Sequence, residues 1–289
     1  MDATVLSSFL GACTFPPPGT AVHCAVSGGA DSLALLLLAH THGLNVTAHH
    51  VDHGLRATSS SDVDVVRGVA EPLGIPVVLH KVSVPQGSNV EARAREARYA
   101  VMPAGVMTGH TADDQAETVL INVLRGAAAS GLSAMRPGTT RPLLALRRVD
   151  TESICRECVI QPVTDETNTD PRYVRNRIRH ELLPLMADIS QRDPAVLLAR
   201  TADLLRADND FLEELASHLD PTDALALAAA PAPLAYRALR QWLSQPYPPD
   251  LATLERILTV ARGEVVACDI GENRQIRRSK QRLTLHNLG

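Results

Sequence analysis

The six residues Ser27-Gly28-Gly29-Ala30-Asp31-Ser32 place two hydroxyls, two glycines and one carboxylate side by side, between an apolar run (Ala21–Val26) and a second one (Leu33–Leu38). That order predicts a buried strand, a tight loop and a buried helix. Glycines without a Cβ let the backbone turn sharply and approach a ligand. A helix N-terminus beside the hydroxyls of Ser27 and Ser32 offers an anion site of the kind that takes phosphate. Asp31 is out of place among phosphate donors unless a metal or a reacting group lies between them, so it reads as a magnesium or active-site carboxylate. The competing structural reading is a plain strand-to-helix turn capped by Asp31 or Ser32. The loop is neither a Walker A loop nor GxGxxG, because Gly-Lys-Ser/Thr does not follow the glycines.

Three further groups could do chemistry. His49-His50-Val51-Asp52-His53-Gly54-Leu55-Arg56 ends another apolar run and predicts a cluster, including Asp52 and His53, that faces a nucleotide or substrate. Adjacent histidines on a strand point to opposite faces, so a shared metal ion is disfavoured. The alternative is a turn in which Asp52 binds backbone N–H groups. Gly109-His110-Thr111-Ala112-Asp113-Asp114-Gln115-Ala116-Glu117 opens a helix. A cap explains one or two of its acids, but Asp114 and Glu117 lie three apart and share a face, which suits a cationic amine or magnesium. Arg125 ends this helix and offers a guanidinium to phosphate. Arg172, Arg175 and Arg179 recur at helical spacing with Arg177 and His180 beside them, either as a solvated basic face or as a patch for phosphates. Cys155-x-x-Cys158 stands without a second pair and reads as buried free thiols rather than a zinc or iron–sulfur site.

Positioning these groups takes an α/β frame. A leading helix over residues 3–12, strands at Leu44–Asp52, Ile75–Val82 and Val106–His110, and helices at 58–73, 89–100 and 111–124 alternate along the chain. This pattern predicts a doubly wound parallel sheet, with ligands beyond the C-terminal strand ends where the motifs fall. From Pro171 the chain reads as helical, notably over 193–219 and 234–245, interrupted by the low-complexity stretch Ala224–Pro233. Val265–Leu285 returns to strand-like alternation, with a hairpin. The expected division is a catalytic domain over residues 1–190 and a smaller, mainly helical domain over 191–289.

At 289 residues with a net charge of −4 and 3% aromatics, the chain is not a general nucleic-acid binder and lacks stacking platforms for single strands, so any RNA contact needs a local basic patch. Five scattered cysteines, no signal peptide and no bilayer-length apolar run predict reduced thiols and a cytoplasmic protein without membrane contact.

SGGADS, HHVDHGLR, GHTADDQAETVLINVLRG, Arg141-Pro142-Leu143-Leu144 and TNTDPRYVRNRIRHELLP occur here in this order. In that order they resemble the tRNA(Ile)-lysidine synthetases of the N-type ATP pyrophosphatase superfamily, over about residues 20–187. The resemblance implies a Rossmann-like catalytic fold. It implies that ATP, with Mg2+, adenylates C2 of the wobble cytidine in an isoleucine tRNA with a CAU anticodon, and that the ε-amine of free lysine then displaces AMP. It further implies that Ser27, Gly28, Gly29, Ala30, Asp31 and Ser32, with Asp52, His53 and His110, hold ATP, that Asp31 lies near magnesium and that Arg125 is catalytic. Asp114 and Glu117 match the acids that bind lysine, and Arg175, Arg177 and Arg179 fall to substrate contact. A homodimer follows from the resemblance alone. The C-terminal part is shorter than the two tRNA-gripping domains of the longer relatives. The alternatives are another ATP pyrophosphatase, such as a tRNA 2-thiolation enzyme, and a non-catalytic tRNA-binding protein.

Overall fold

In the computed structural model, residues 3–52, 59–82, 90–163 and 170–288 are described. They fall into two compact units, Met1–Asp203 and Leu204–Gly289. The sequence boundary after residue 190 lies between two helices, whereas this division falls inside one.

The N-terminal unit is built on β1 (Ala21–Ala25), β2 (Asn45–Asp52) and β3 (Val77–Lys81), paired in that order and all parallel. Alternation in β1 buries Val22 and Cys24 on one face. α1 (Ala3–Leu10) and α2 (Ala30–Thr41) join the core on that side, and every residue of α2 from Leu33 to Ala39 is buried. A helix apolar all round belongs in an interior, so the Ser27–Ser32 loop at its N-terminus is rooted in the buried core of the unit. α3 (Ser59–Ala70) runs into a short 3-10 turn, Glu71–Leu73, which Gly74 ends in the left-handed conformation at φ 69°. α4 (Val90–Val101) follows.

Val106–His110, expected as a strand, contributes a parallel bridge instead. Met107 N donates to His23 O (2.8 Å) and Ala25 N to Met107 O (2.9 Å). The next amide, Thr108 N, donates to Thr140 O (2.9 Å). The chain leaves the sheet because its hydrogen bonds go to the Gly138–Arg141 turn. α5 (Ala112–Leu124) and the single turn α6 (Ala129–Leu132) come next, followed by α7 (Arg148–Glu157). α8 (Val174–Arg177), a π-helical turn over Ile178–Leu182 and α9 (Leu183–Ser190) then run on without a break.

α10 (Pro194–Ser217) carries the division between the units. The C-terminal unit adds α11 (Ala224–Ala229), α12 (Ala232–Trp242), α13 (Leu251–Arg262) and an antiparallel sheet of β4 (Ala267–Gly271), β5 (Arg274–Ser279) and β6 (Arg282–Asn287). The supposed interruption at Ala224–Pro233 is partly helix. Asp223 caps α11 by accepting from Leu225 N and Ala226 N at 3.0 Å, and alanine and leucine propagate it. The expected hairpin is present with one extra strand. Both of its two-residue turns, Glu272-Asn273 and Lys280-Gln281, have positive φ at both positions, which matches the right-handed twist of the strands. No helix among the described residues is long and apolar enough to cross a membrane.

Candidate active site

The loop after β1 is closed by its own hydroxyls. Ser27 N donates to Ser32 Oγ (3.1 Å), the two hydroxyls lie 3.2 Å apart, and Ser32 Oγ donates to Gly29 O (2.9 Å). Gly28 sits at φ +92°, where a side chain would be strained, and its carbonyl accepts from Val163 N (2.9 Å). Gly109 meets the loop from the neighbouring chain end. A Cβ there would stand 2.4 Å from the Asp31 carbonyl oxygen, so the approach of the two segments requires glycine. These contacts hold Ser27–Ser32 as a shaped anion cradle at a helix N-terminus.

Asp31 points out of that cradle toward α7. Thr151 Oγ1 donates to Asp31 Oδ1, and Arg148 Nε approaches Asp31 Oδ2 at 3.5 Å. Burial pushes the Asp31 carboxyl up, against the opposing pull of Thr151 and Arg148. The same Arg148 donates through Nη2 to Asp114 Oδ1 (3.1 Å) and through Nη1 to Glu117 Oε1 (3.3 Å). One guanidinium thus joins the Ser27–Ser32 loop to the acid pair on α5.

The acid pair is as the spacing predicts. Asp114 and Glu117 share one face of α5, and both are buried, Glu117 to 0% exposure. Neither is open. Arg175 Nε donates to Glu117 Oε2 (2.6 Å) and its Nη2 to Asp114 Oδ1 (3.1 Å), while Arg179 grips Glu117 with Nε (2.7 Å) and Nη2 (3.1 Å). Asp114 Oδ2 also accepts from Thr111 N (3.0 Å) and lies 3.6 Å from His110 Nδ1. Burial works to raise the Asp114 carboxyl, but His110, Arg148 and Arg175 together hold it far below the ordinary carboxylate range. Asp114 is therefore a fixed negative charge at neutral pH. His110 Nε2 is buried without a hydrogen-bond partner among the described residues.

Several contacts of the site rest on residues that sequence reasoning did not single out as site residues. Asp113 accepts from Arg148 N (2.7 Å) and from Arg147 Nε (3.0 Å) and Nη2 (2.9 Å), tying the start of α7 to the start of α5. Burial would raise Asp113, yet these partners bring it below its usual value. Arg148 and Thr151, three apart on α7, reach Asp31 together, and that spacing was the available signal. Buried Gln115 bonds Met135 through both ends of its amide, at 2.9 Å each way, and so fixes the segment leading to Arg147. The cluster opens into a cleft of about 550 Å³ lined by Asp113, Glu117, Arg147, Arg148, Arg179 and Asp193, within the range of small-molecule sites.

Other expected site residues lie elsewhere. Arg177 pairs with Glu181 (2.9 Å) on the exposed side of its helix, and Arg172 pairs with Asp170 (2.6 Å). Arg125 is exposed at the far end of α5, about 12 Å along the helix axis from Glu117 at 1.5 Å per residue. Asp52 ends β2, where its carbonyl accepts from Val82 N (3.0 Å), and His53 lies outside the described residues. The two adjacent histidines do face opposite ways. His50 Nδ1 bonds Val26 O (2.8 Å), while His49 lies in a row with His23 and His80, at 2.9 Å on each side. Among the described residues no group of three or more His, Cys, Asp or Glu side chains is placed to hold a metal ion. Cys155 is buried behind the loop, its thiol reaching Ala30 O at 3.6 Å, and burial pushes it up to about 12.

Comparison with known proteins accords with this geometry. A PP-loop domain family matches residues 5–186. A tRNA(Ile)-lysidine synthase of Nocardia farcinica is 38% identical over 86% of this chain and 85% of its own length, and one of Mycobacterium leprae is 40% identical over 76% and 73%. Among solved structures, the U34-tRNA thiolase NcsA of Methanococcus maripaludis with its [4Fe-4S] cluster covers 71% of this chain and 78% of its own, with a TM-score of 0.54 at 15% identity, which is a likeness of fold.

Proposed function

This chain belongs to the tRNA(Ile)-lysidine synthase family, and on that footing we infer that it uses ATP to ligate free lysine to C2 of the wobble cytidine in an isoleucine tRNA with a CAU anticodon. The cytidine O2 attacks the α-phosphorus and pyrophosphate leaves. The ε-amine of lysine, once its ammonium proton has passed to solvent, then attacks C2 with its lone pair, forming the carbon–nitrogen bond and shedding a second proton, and AMP departs with the former O2.

The observation that carries this reading is the direct link between the anion cradle and the buried acid pair. Asp31 reaches Asp114 and Glu117 through the single guanidinium of Arg148. A phosphate site and an ammonium site must lie this close for an amine to meet an adenylated carbon. Ser27, Gly28, Gly29, Ala30 and Ser32 are assigned to the ATP phosphates, and His110, with its unpartnered Nε2, to the nucleotide side. Asp52 and His53 are assigned there as well. Asp114, held ionised, suits an ammonium receptor better than a proton acceptor. Magnesium commonly binds through one or two carboxylates plus substrate phosphates. Asp31 fits that pattern, and the ion would neutralise charge on the pyrophosphate.

Arg175 and Arg179 are assigned to substrate anions within the site, and Arg125 and Arg177, both exposed, to phosphates of the tRNA. The C-terminal unit is assigned to tRNA contact, its exposed Arg277, Arg282 and His286 lying on one face of the β5–β6 hairpin. A homodimer rests on family resemblance, and a cytoplasmic setting on the tRNA substrate.

The test is incorporation of labelled lysine into unmodified tRNA of this kind, with ATP and Mg2+ and with each omitted in turn. Label that depends on ATP supports the reading. ATP cleavage with tRNA but no lysine incorporation points to a different nucleophile. A 2-thiolation chemistry is disfavoured because the curated relatives similar to this chain over most of its length are tRNA(Ile)-lysidine synthases.

A further inference from the structure

Asp31, Asp114 and Glu117 face Arg148, Arg175 and Arg179, three carboxylates against three guanidinium groups, in a largely buried cluster. The set is formally neutral and internally paired. An ammonium brought to Asp114 and Glu117 would be a surplus buried cation, and the phosphates of a nucleotide beside Asp31 would be surplus anions. Either alone leaves uncompensated charge, which is costly in a buried site. Both together exchange partners without excess, because guanidinium passes to phosphate and carboxylate to ammonium.

Arg148 is placed to make that exchange. Its Nε lies 3.5 Å from Asp31 at the start of α2, while Nη1 and Nη2 lie 3.3 and 3.1 Å from Glu117 and Asp114. Its main chain is fixed separately, by the hydrogen bond from its N–H to Asp113. The guanidinium can turn while the backbone stays in place, and a long flexible stem is all that must rotate.

We propose that Arg148 is a charge gate that makes the binding of nucleotide and of lysine mutually dependent. It shares with Arg175 and Arg179 the two carboxylates assigned to the lysine ammonium; when phosphates occupy the Ser27–Ser32 cradle it turns to them and gives up its share, leaving an acceptor oxygen on each carboxylate for the ammonium beside Arg175 and Arg179. This rests on the lysine-ligating reading above. Arg148 acts here as a positioning residue, through the carboxylates it shares. The coupling is reciprocal by linkage, so lysine tightens nucleotide binding by the same factor.

The experiment is calorimetric titration of the full chain with L-lysine, with and without a saturating non-hydrolysable α,β-methylene ATP and Mg2+, and the converse titration. Coupling of about tenfold or more in both directions is expected for the wild type, within the usual range for linked sites. In Arg148→Gln, lysine binds the nucleotide-free protein more tightly than it binds the wild type, and the coupling falls to within about twofold. Arg148→Lys, which keeps the charge but not the fork, retains part of it. A structural role alone would weaken both ligands and leave the ratio unchanged. Equal lysine affinity with and without the analogue in the wild type overturns the gate even if Arg148→Gln does not fold, as does full coupling in a folded Arg148→Gln. Labelled-lysine incorporation into tRNA, measured on the same wild-type preparation, separates the failures. Incorporation without coupling, or with lysine bound in neither titration, overturns the gate and leaves the function standing. The absence of lysine binding and of incorporation removes both.

Discussion

Asp113 holds Arg148 by its backbone, not by its side chain. The carboxylate accepts the Arg148 N–H at 2.7 Å and takes its guanidinium partner from Arg147 instead, at 2.9 and 3.0 Å. The three-way fork of Arg148 is left for Asp31, Asp114 and Glu117.

Asp113→Ala should therefore act on catalysis through position. We expect lysine incorporation to fall by about a hundredfold, in line with the sensitivity of reactions to small misplacement, with ATP-analogue affinity changed much less. Measuring both on the same folded variant checks it, and equal losses in the two would refute the positioning role.

Glu117→Gln removes the charge that Arg148, Arg175 and Arg179 share. Breaking a buried pair leaves uncompensated cations, so unfolding free energy should drop by about 3 kcal/mol. In steady-state assays the KM for lysine should rise more than tenfold, and the KM for ATP should shift far less.

Gly109→Ala puts a methyl group 2.4 Å from the Asp31 carbonyl oxygen. That backbone atom cannot swing aside as a side chain would. A cost of about 1–3 kcal/mol is expected from overpacking, with kcat/KM for ATP reduced because the cradle must shift. A Gly109→Ala enzyme with wild-type kinetics would show that this approach is not needed for ATP binding.

Acid should unfold the protein partly through His49. Burial, with His23 and His80 alongside, pushes its ring below the ordinary value of 6.5. A depressed folded value means that the unfolded chain takes up the proton first. The His49 contribution is thus fully present above about pH 6.5 and is lost as the pH falls toward the folded value. Denaturation midpoints at about pH 8 and about pH 5.5 should differ less in His49→Gln than in the wild type.

Thiol chemistry should be dispensable. Cys24 and Cys155 carry protons at neutral pH, burial holding both up at about 12. Iodoacetamide at neutral pH should leave both unmodified in the native protein, and Cys155→Ala should incorporate lysine at near wild-type rates.

What was legible in the sequence follows from how far each signal reaches along the chain. Ser27 to Ser32 are sequential neighbours, so their composition states the cradle directly. The spacing of Asp114 and Glu117 fixes a shared helix face, as does that of Arg175 and Arg179. Spacing cannot say which end of α5 meets the site, so Arg125 read as close when it lies about 12 Å along the axis from Glu117. The Arg148–Thr151 spacing marks a shared helix face, but the partners Asp31, Asp114 and Glu117 stand far off in sequence, so the role of Arg148 as a hub does not show there. The expected strand at Val106–His110 had the right composition, but its hydrogen bonds belong to a turn that no local pattern reveals.

The row of His23, His49 and His80 links three successive strands through two hydrogen bonds of 2.9 Å. A neutral imidazole has one N–H to give, so His49 donates on one side and accepts on the other. If its proton is on Nδ1, then His23 must donate and His80 must accept; if it is on Nε2, both relations reverse. The three rings therefore have no independent tautomers. They form a single two-state switch across the width of the sheet, and whatever contacts the outer nitrogen of His23 or of His80 sets the direction of the whole line.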